Sequence, residues 1–261
     1  MSDLLVHPAW IYLPTLVFGA CVGSFLNVVI HRVPRGISVV TPPSACPSCG
    51  HRLRPWENVP VLGWLFLRGK CSECGSSISM RYPLVELTTG LLAVASLWWF
   101  GPTLDAFMSF VLLASMLAVA FIDWEYMIIP DQISVGLLVL GLALSPWSSA
   151  GIIGSLTGAL VGGGLLLFVG YVWEKLRGVE AMGGGDVKLM AAAGAFLGIG
   201  GVLLIIFVGA FLGSIVGSVM LRRSGQAKIA FGTFLAAATV IVVFAGPDFI
   251  EWYLSTLRPP A

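Results

Sequence analysis

The chain has 261 residues, 57% hydrophobic and 10% charged, with a mean hydropathy of +0.95 and a formal net charge of +1. Apolar runs long enough to cross a bilayer fill most of it, which excludes an ordinary soluble domain and predicts an all-α polytopic membrane protein. The charge is segregated by loop rather than spread over one face, so no nucleic-acid partner is expected.

Met1 to Pro8 contain no Lys or Arg, which opposes the basic start of a secretory signal. Ala20-Cys21 has the outline of a lipoprotein cleavage site, but Phe18 and the absent basic start argue against it; Cys21 is expected to pack among helices. About eight transmembrane helices are predicted, near 10–30, 83–100, 105–122, 132–148, 150–173, 187–199, 200–221 and 228–246. The sixth is short, since 13 residues rise only about 20 Å. A single span over 187–221 is the alternative, and charge decides between them. With eight spans and both termini outside, every Lys and Arg except Arg258 falls on the cytoplasmic face; merging spans six and seven would move Arg222, Arg223 and Lys228 outside.

Glycines at 154, 158 and 162 and at 209, 213 and 217 repeat every four residues, a spacing that lets helices approach closely. Phe249, Trp252 and Tyr253 in the outer tail suit an interfacial aromatic belt. Three segments follow: residues 1–30 as the first span, 31–82 as a cytoplasmic loop domain, and 83–261 as a seven-helix membrane domain.

The loop domain contains Cys46-Pro47-Ser48-Cys49-Gly50 and Cys71-Ser72-Glu73-Cys74-Gly75. Two Cys-x-x-Cys pairs present Cys46, Cys49, Cys71 and Cys74 as four thiolates for a tetrahedral zinc ion, and the glycine after each pair suits a tight turn around it. Two disulfides or redox pairs are the competing reading, disfavoured in a reducing compartment. A loop this size builds little core, so a metal would supply much of its folding energy. With all four positions as ligands no site stays open, and the zinc is expected to be structural.

Isolated carboxylates are costly at a membrane boundary and usually functional. Asp123 ends the third span and Asp186 opens the sixth, after Gly183-Gly184-Gly185, and the parity argument brings both to the cytoplasmic face. Each alone reads as a helix-end acid meeting water. Together they can share one proton and activate water. The three glycines would let an extended peptide backbone approach Asp186.

These residues carry a resemblance along nearly the whole chain. Gly23-Ser24-Phe25-Leu26-Asn27 through Pro34, the cysteine loop with Glu57-Asn58-Val59-Pro60 and Arg68-Gly69-Lys70, and Arg81-Tyr82-Pro83-Leu84-Val85-Glu86 are similar to the prepilin leader peptidases. So are Asp123 with Ile129-Pro130-Asp131, and Gly183-Gly184-Gly185-Asp186-Val187-Lys188-Leu189, which fits the Gly-x-Gly-Asp segment of that family of membrane aspartyl proteases. The chain departs from the family at Ala230-Phe231-Gly232-Thr233, which lacks the flanking prolines and leaves the local backbone open.

The resemblance implies Asp123 and Asp186 as catalytic residues and type IV prepilins or pseudopilins as partners, besides membrane lipid. It also implies N-methylation of the new amine with S-adenosylmethionine, for which no residues are assigned and no glycine-rich nucleotide fold is visible. The acid that binds the basic leader could be Glu73, Glu86, Glu174 or Glu180. Asp131 after Pro130 is expected to cap the fourth span. Glu86, inside the second, is expected to pair with Arg81 or a backbone group, or to meet substrate. His7, His31 and His51 show no ligand spacing. The rival functions are an ion-coupled transporter whose aspartates carry cations, with a zinc-stapled loop, and a non-enzymatic assembly factor docking through that loop.

Overall fold

The computed structural model describes residues 9–179, 182–224 and 229–257, with the side chains at 223, 224 and 257 outside that set; His7, Glu180, Lys228 and Arg258 also lie outside it. Helices dominate: α1 (Tyr12–Arg32), α2 (Leu62–Phe66), α3 (Arg81–Phe100), α4 (Leu104–Tyr126), α5 (Asp131–Leu144), α6 (Gly151–Arg177), α7 (Gly184–Ser224) and α8 (Phe231–Leu257). Among the described residues the extended pairings are two isolated bridges, Ala45–Arg52 and Lys70–Ser77. The chain divides within α4 into two compact units, Met1–Phe110 and Val111–Ala261.

In the first unit, α1 and α3 pack as an antiparallel pair because glycines remove the side chains between them. A Cβ on Gly19 would lie 2.8 Å from Gly90 Cα, and one on Gly23 would lie 2.7 Å from Glu86 Cα. Asn27 Nδ2 donates across this interface to Tyr82 O at 3.1 Å and Thr89 Oγ1 to Val85 O at 2.7 Å, while Asn27 Oδ1 is buried without a hydrogen-bond partner. The residues between these helices form the loop unit. Its short α2 begins at Val61, which has φ +61° and whose N–H donates to Glu86 Oε2 at 2.7 Å.

Six helices, α1, α3, α4, α6, α7 and α8, are long and apolar enough to cross a bilayer, and α5 with its 3-10 end forms a shorter apolar segment, Asp131–Trp147. The expected count of eight is reached because α7 is two helices. Gly198 interrupts it with φ +69° and ψ −172°, a conformation open to glycine. The chain reverses there. A Cβ on Gly162 of α6 would meet both Met190 O and Val202 Cγ2, residues far apart along any straight helix. The first leg, 184–197, thus runs out along α6 and the second, 199–224, returns. Gly158, Gly194 and Gly198 lie at the tip, where a Cβ on Gly158 would stand 2.7 Å from Gly198 Cα. The second leg then packs antiparallel to α8, through Gly209 on Leu235 and Gly217 on Ile229. Gly158, Gly162, Gly209 and Gly217 thus serve the close approach their spacing suggested, whereas a Cβ on Gly154 would meet only Ala150 of its own helix, at 3.8 Å, and one on Gly213 would make ordinary contact with Phe234 at 3.6 Å.

Two expectations need correction. α8 runs on through Pro247 to Leu257, carrying Phe249, Trp252 and Tyr253 as an exposed helical face rather than a tail. Proline removes one hydrogen-bond donor, which did not stop this helix. Cys21 is exposed on α1, because the close α1–α3 face is taken by Gly19, Gly23 and Leu26.

Candidate active site and metal centre

Asp123 occupies the last turn of α4, the most enclosed of the apolar spans. Met127 ends that turn in a left-handed conformation (φ +56°), its N–H bonding back to Asp123 O at 2.9 Å. The carboxyl is buried, with 6% exposure, and Oδ2 accepts the Thr233 N–H at 3.2 Å; Gly232 N–H is a second donor. Both donors belong to the first turn of α8, and the Thr233 N–H is shared between Asp123 and Ala230 O at 3.3 Å. Thr233 Oγ1 donates to Ala120 O at 3.1 Å, tying α8 to α4 one turn before Asp123. Gly232 and Thr233 escaped sequence reasoning. The signal was there as a Phe-Gly at a span boundary, but nothing in one dimension links it to residue 123.

Asp186 lies in the first turn of the first leg of α7, 9% exposed. Its N–H donates to Gly183 O at 3.1 Å, its carboxyl accepts from the Gly183 backbone, and Oδ1 is buried without a hydrogen-bond partner. The two carboxyls come within electrostatic reach of each other, since the charge on Asp123 acts on Asp186. Ile129 stands between their supports: a Cβ on Gly185 would lie 2.8 Å from Ile129 Cβ, and one on Gly232 would lie 2.8 Å from Ile129 Cδ1. The glycine run therefore has divided duties. Gly185 is bare so that Ile129 can pack, whereas a Cβ on Gly184 would meet nothing within 4 Å.

Asp131 does not cap α5. Pro130 is the cap residue, and Asp131 instead holds Lys188 Nζ with both oxygens, at 2.7 and 2.8 Å. The pair is half exposed and joins α5 to the first leg two residues beyond Asp186.

In the first unit the four cysteines converge. The sulfurs of Cys46, Cys49, Cys71 and Cys74 all lie within 4.8 Å of one another, with Cys46–Cys74 at 3.8 Å and Cys49–Cys71 at 3.9 Å, and none forms a disulfide. A tetrahedral metal with bonds of about 2.3 Å sets sulfur–sulfur distances near 3.8 Å, so the cluster fits a metal ion. The pairs sit on matching turns: Gly50 N–H bonds to Cys46 O at 2.9 Å and Gly75 N–H to Cys71 O at 3.0 Å, with both glycines at positive φ. The Ser76 hydroxyl, with the backbone amides of Cys49 and Ser48, lowers the Cys46 thiol to about 6. Ser76 also lowers Cys74. At Cys49 the His51 amide pulls down, but desolvation and the neighbouring thiols of Cys74, Cys46 and Cys71 push it up to about 12. Four thiols this close resist ionising together unless a cation binds them.

Glu57 locks the two turns together. Its buried carboxylate accepts from Ser72 Oγ at 2.5 Å, from Arg54 N at 2.7 Å and pairs with His51 Nε2 at 3.0 Å, spanning both cysteine turns. The Ser72 hydroxyl first, then the Arg54 amide and His51, hold it down at about 2. This role of Glu57 was not readable beforehand.

Of the candidate leader-binding acids, Glu73 pairs with Arg54 at 3.1 Å and Glu174 is exposed on α6. Glu86 resolves to the backbone option: it is buried and takes the Val61 N–H, with Ser24 as a second partner.

Residues 17–100 match the bacterial peptidase A24 N-terminal domain, and residues 110–218 match the type IV leader peptidase family. With its helical, multi-span architecture the chain is a membrane peptidase. The chain is 38% identical to the prepilin leader peptidase/N-methyltransferase of Burkholderia pseudomallei strain 1026b, over 90% of this chain and 85% of that protein. Proteins of the same name from Stutzerimonas stutzeri and Pseudomonas aeruginosa are each 38% identical, covering 98% and 97% of both chains respectively. The chain belongs to the prepilin leader peptidase/N-methyltransferase family. No solved structure matches it.

Proposed function

We propose that the protein removes the short basic leader from type IV prepilins or pseudopilins at the cytoplasmic face of a bacterial inner membrane, with Asp123 and Asp186 as the catalytic pair. The observation that supports this reading is a pair of buried carboxyls, each at the end of an apolar helix, whose neighbours Gly185 and Gly232 pack on one side chain, Ile129. Two such groups do not both ionise cheaply, so one holds a proton while the other takes one from water. The protonated member polarises the scissile carbonyl, and the proton collected from water leaves with the amine. Gly184 offers an open stretch of backbone beside Asp186, where an extended peptide could lie. The basic residues Lys175, Arg177, Lys188 and Arg222 sit at the dyad end of α6 and α7, which supports a cytoplasmic orientation.

The cysteine cluster is assigned zinc, since thiolate ligands in this tetrahedral spacing suit that ion. Cys46, Cys49, Cys71 and Cys74 would hold it, and its chemistry there is to fold the loop rather than to react. Methylation of the exposed amine, with S-adenosylmethionine supplying the methyl group, is proposed from the names of the relatives. The described residues of the loop unit contain no strand–glycine–helix cradle for a nucleotide.

The test is a pilin-like precursor incubated with the purified chain in detergent. Asp123→Asn and Asp186→Asn each abolish leader removal while the thermal melt stays that of the parent. Full cleavage by either variant removes that aspartate from the reaction.

A further inference from the structure

The two aspartates differ in how many donors reach them, and the difference assigns their roles; this step rests on the dyad reading above. Asp123 Oδ2 faces two backbone donors, the N–H groups of Thr233 at 3.2 Å and of Gly232. These lie at the start of α8, at the positive end of the helix dipole, and the Thr233 N–H is shared with Ala230 O at 3.3 Å. Such donors favour a carboxylate over a carboxylic acid. Asp186 also lies in a helix first turn and its carboxyl takes one backbone donor, from Gly183, but one of its oxygens is left bare. Its Oδ1 is buried with no donor, a costly state for a charged oxygen but a suitable one for an O–H that awaits an acceptor.

Two side-chain features maintain the asymmetry. Thr233 Oγ1 pins the first turn of α8 to Ala120 O on α4. Residue 232 must be bare, because a Cβ there would stand 2.9 Å from Asp123 Oδ2 and push the carboxylate off its donors. Other charged groups on the elements packed here are Glu125 and, at the far end, Asp105 on α4, Asp131 on α5, Glu174, Lys175 and Arg177 on α6, and Lys188 and Arg222 on α7; residues 231–246 of α8 carry none. Asp131 and Lys188 neutralise one another, and the charge that acts on Asp186 is that of Asp123.

We infer that Asp123 is the ionised member of the pair and takes the proton from water, that Asp186 delivers the shared proton to the scissile carbonyl oxygen, and that Gly232 and Thr233 are the positioning residues that set this order. As the water oxygen bonds to the carbonyl carbon, one water proton passes to Asp123 and the Asp186 proton passes to the carbonyl oxygen, leaving a neutral gem-diol. When the C–N bond breaks, Asp123 returns its proton to the leaving nitrogen and one diol hydroxyl returns a proton to Asp186. The pair ends as it began.

The experiment replaces the amide at position 233 by an ester, using the α-hydroxy analogue of threonine in the full-length chain, and follows kcat/KM for precursor cleavage against pH. Losing one donor to the carboxylate moves the acidic limb to higher pH by about one unit and leaves the alkaline limb in place. Thr233→Val, which keeps the amide but frees α8 from α4, moves the same limb the same way and lowers kcat roughly tenfold at constant KM; Thr233→Ser restores both. An unmoved acidic limb in the ester, or a shift confined to the alkaline limb, overturns the assignment. If the ester does not fold, a Thr233→Val profile identical to the parent overturns it instead. Cleavage by Asp123→Asn or Asp186→Asn would end the dyad reading itself. Both variants inactive with an unmoved limb would end only the assignment of roles.

Discussion

Gly185→Ala is the substitution with the sharpest expected effect on the site. Its Cβ would lie 2.8 Å from Ile129 Cβ and 3.4 Å from Ile129 O. Carbon atoms in contact prefer roughly 3.5–4.0 Å, so the shortfall is about 0.7–1.2 Å. Ile129 Cβ is bonded to the main chain and cannot rotate away, so either residues 127–130 or the first turn of α7 must move. A displacement near 1 Å at a reacting group costs on the order of 10²-fold in rate, and overpacking costs about 1–3 kcal/mol in stability. Gly184→Ala is the matched control. Nothing lies within 4 Å of its Cβ, and alanine in a helical turn is about 1 kcal/mol better than glycine. Cleavage of a pilin-like precursor and thermal unfolding in one detergent read both. Gly185→Ala falls about 10²-fold in kcat/KM with a lower Tm, while Gly184→Ala keeps or raises Tm and changes rate only through crowding of the bound peptide. Adding Ile129→Val does not rescue Gly185→Ala, because valine retains the offending Cβ. Cleavage by Gly185→Ala within twofold of the parent would refute the claim that this contact sets Asp186.

Three further outcomes are expected. The double change Cys46→Ser, Cys49→Ser abolishes the metal binding proposed for the cysteine cluster and lowers the melting temperature of the loop unit; metal retained in elemental analysis of the variant, or an unchanged melt, would refute this. Glu57→Gln lowers the melting temperature relative to the parent from neutral pH down to about 5. Because folding depresses this carboxylate to about 2, its contribution is full above its ordinary 4.5 and is lost as pH falls from there toward 2, so the two melting curves converge in that window. A gap that persists below pH 2 would show that charge on Glu57 is not the cause. Lys188→Ala or Asp131→Ala costs at most about 1 kcal/mol, since the pair is half exposed. The swap of Lys188→Asp with Asp131→Lys recovers part of that in a double-mutant cycle; a coupling above about 3 kcal/mol would mean the pair is desolvated in the membrane.

The sequence alone determined whatever is written along one dimension. Span length and hydropathy predicted the helices, and the charge distribution separated the two legs of α7 before the break at Gly198 was seen. Cys-x-x-Cys-Gly determined the tight turns at Cys46 and Cys71, because both partners of each turn hydrogen bond lie within four residues. Asp123 and Asp186 were visible because a lone carboxylate in an apolar stretch is conspicuous.

Tertiary structure decided what joins residues far apart in the chain. That Thr233 donates to Asp123, 110 residues earlier, depends on which helix end α8 starts against. That Asp131 binds Lys188 instead of capping its own helix reflects a stronger ionic partner, 57 residues away, outcompeting local amides. That Gly185 serves Ile129 while Gly184 stays open depends on which side of a single turn meets a neighbour. Periodicity says which residues share a face. Only close packing says what that face touches, since the distances that hold a proton or exclude a methyl group differ by less than an ångström.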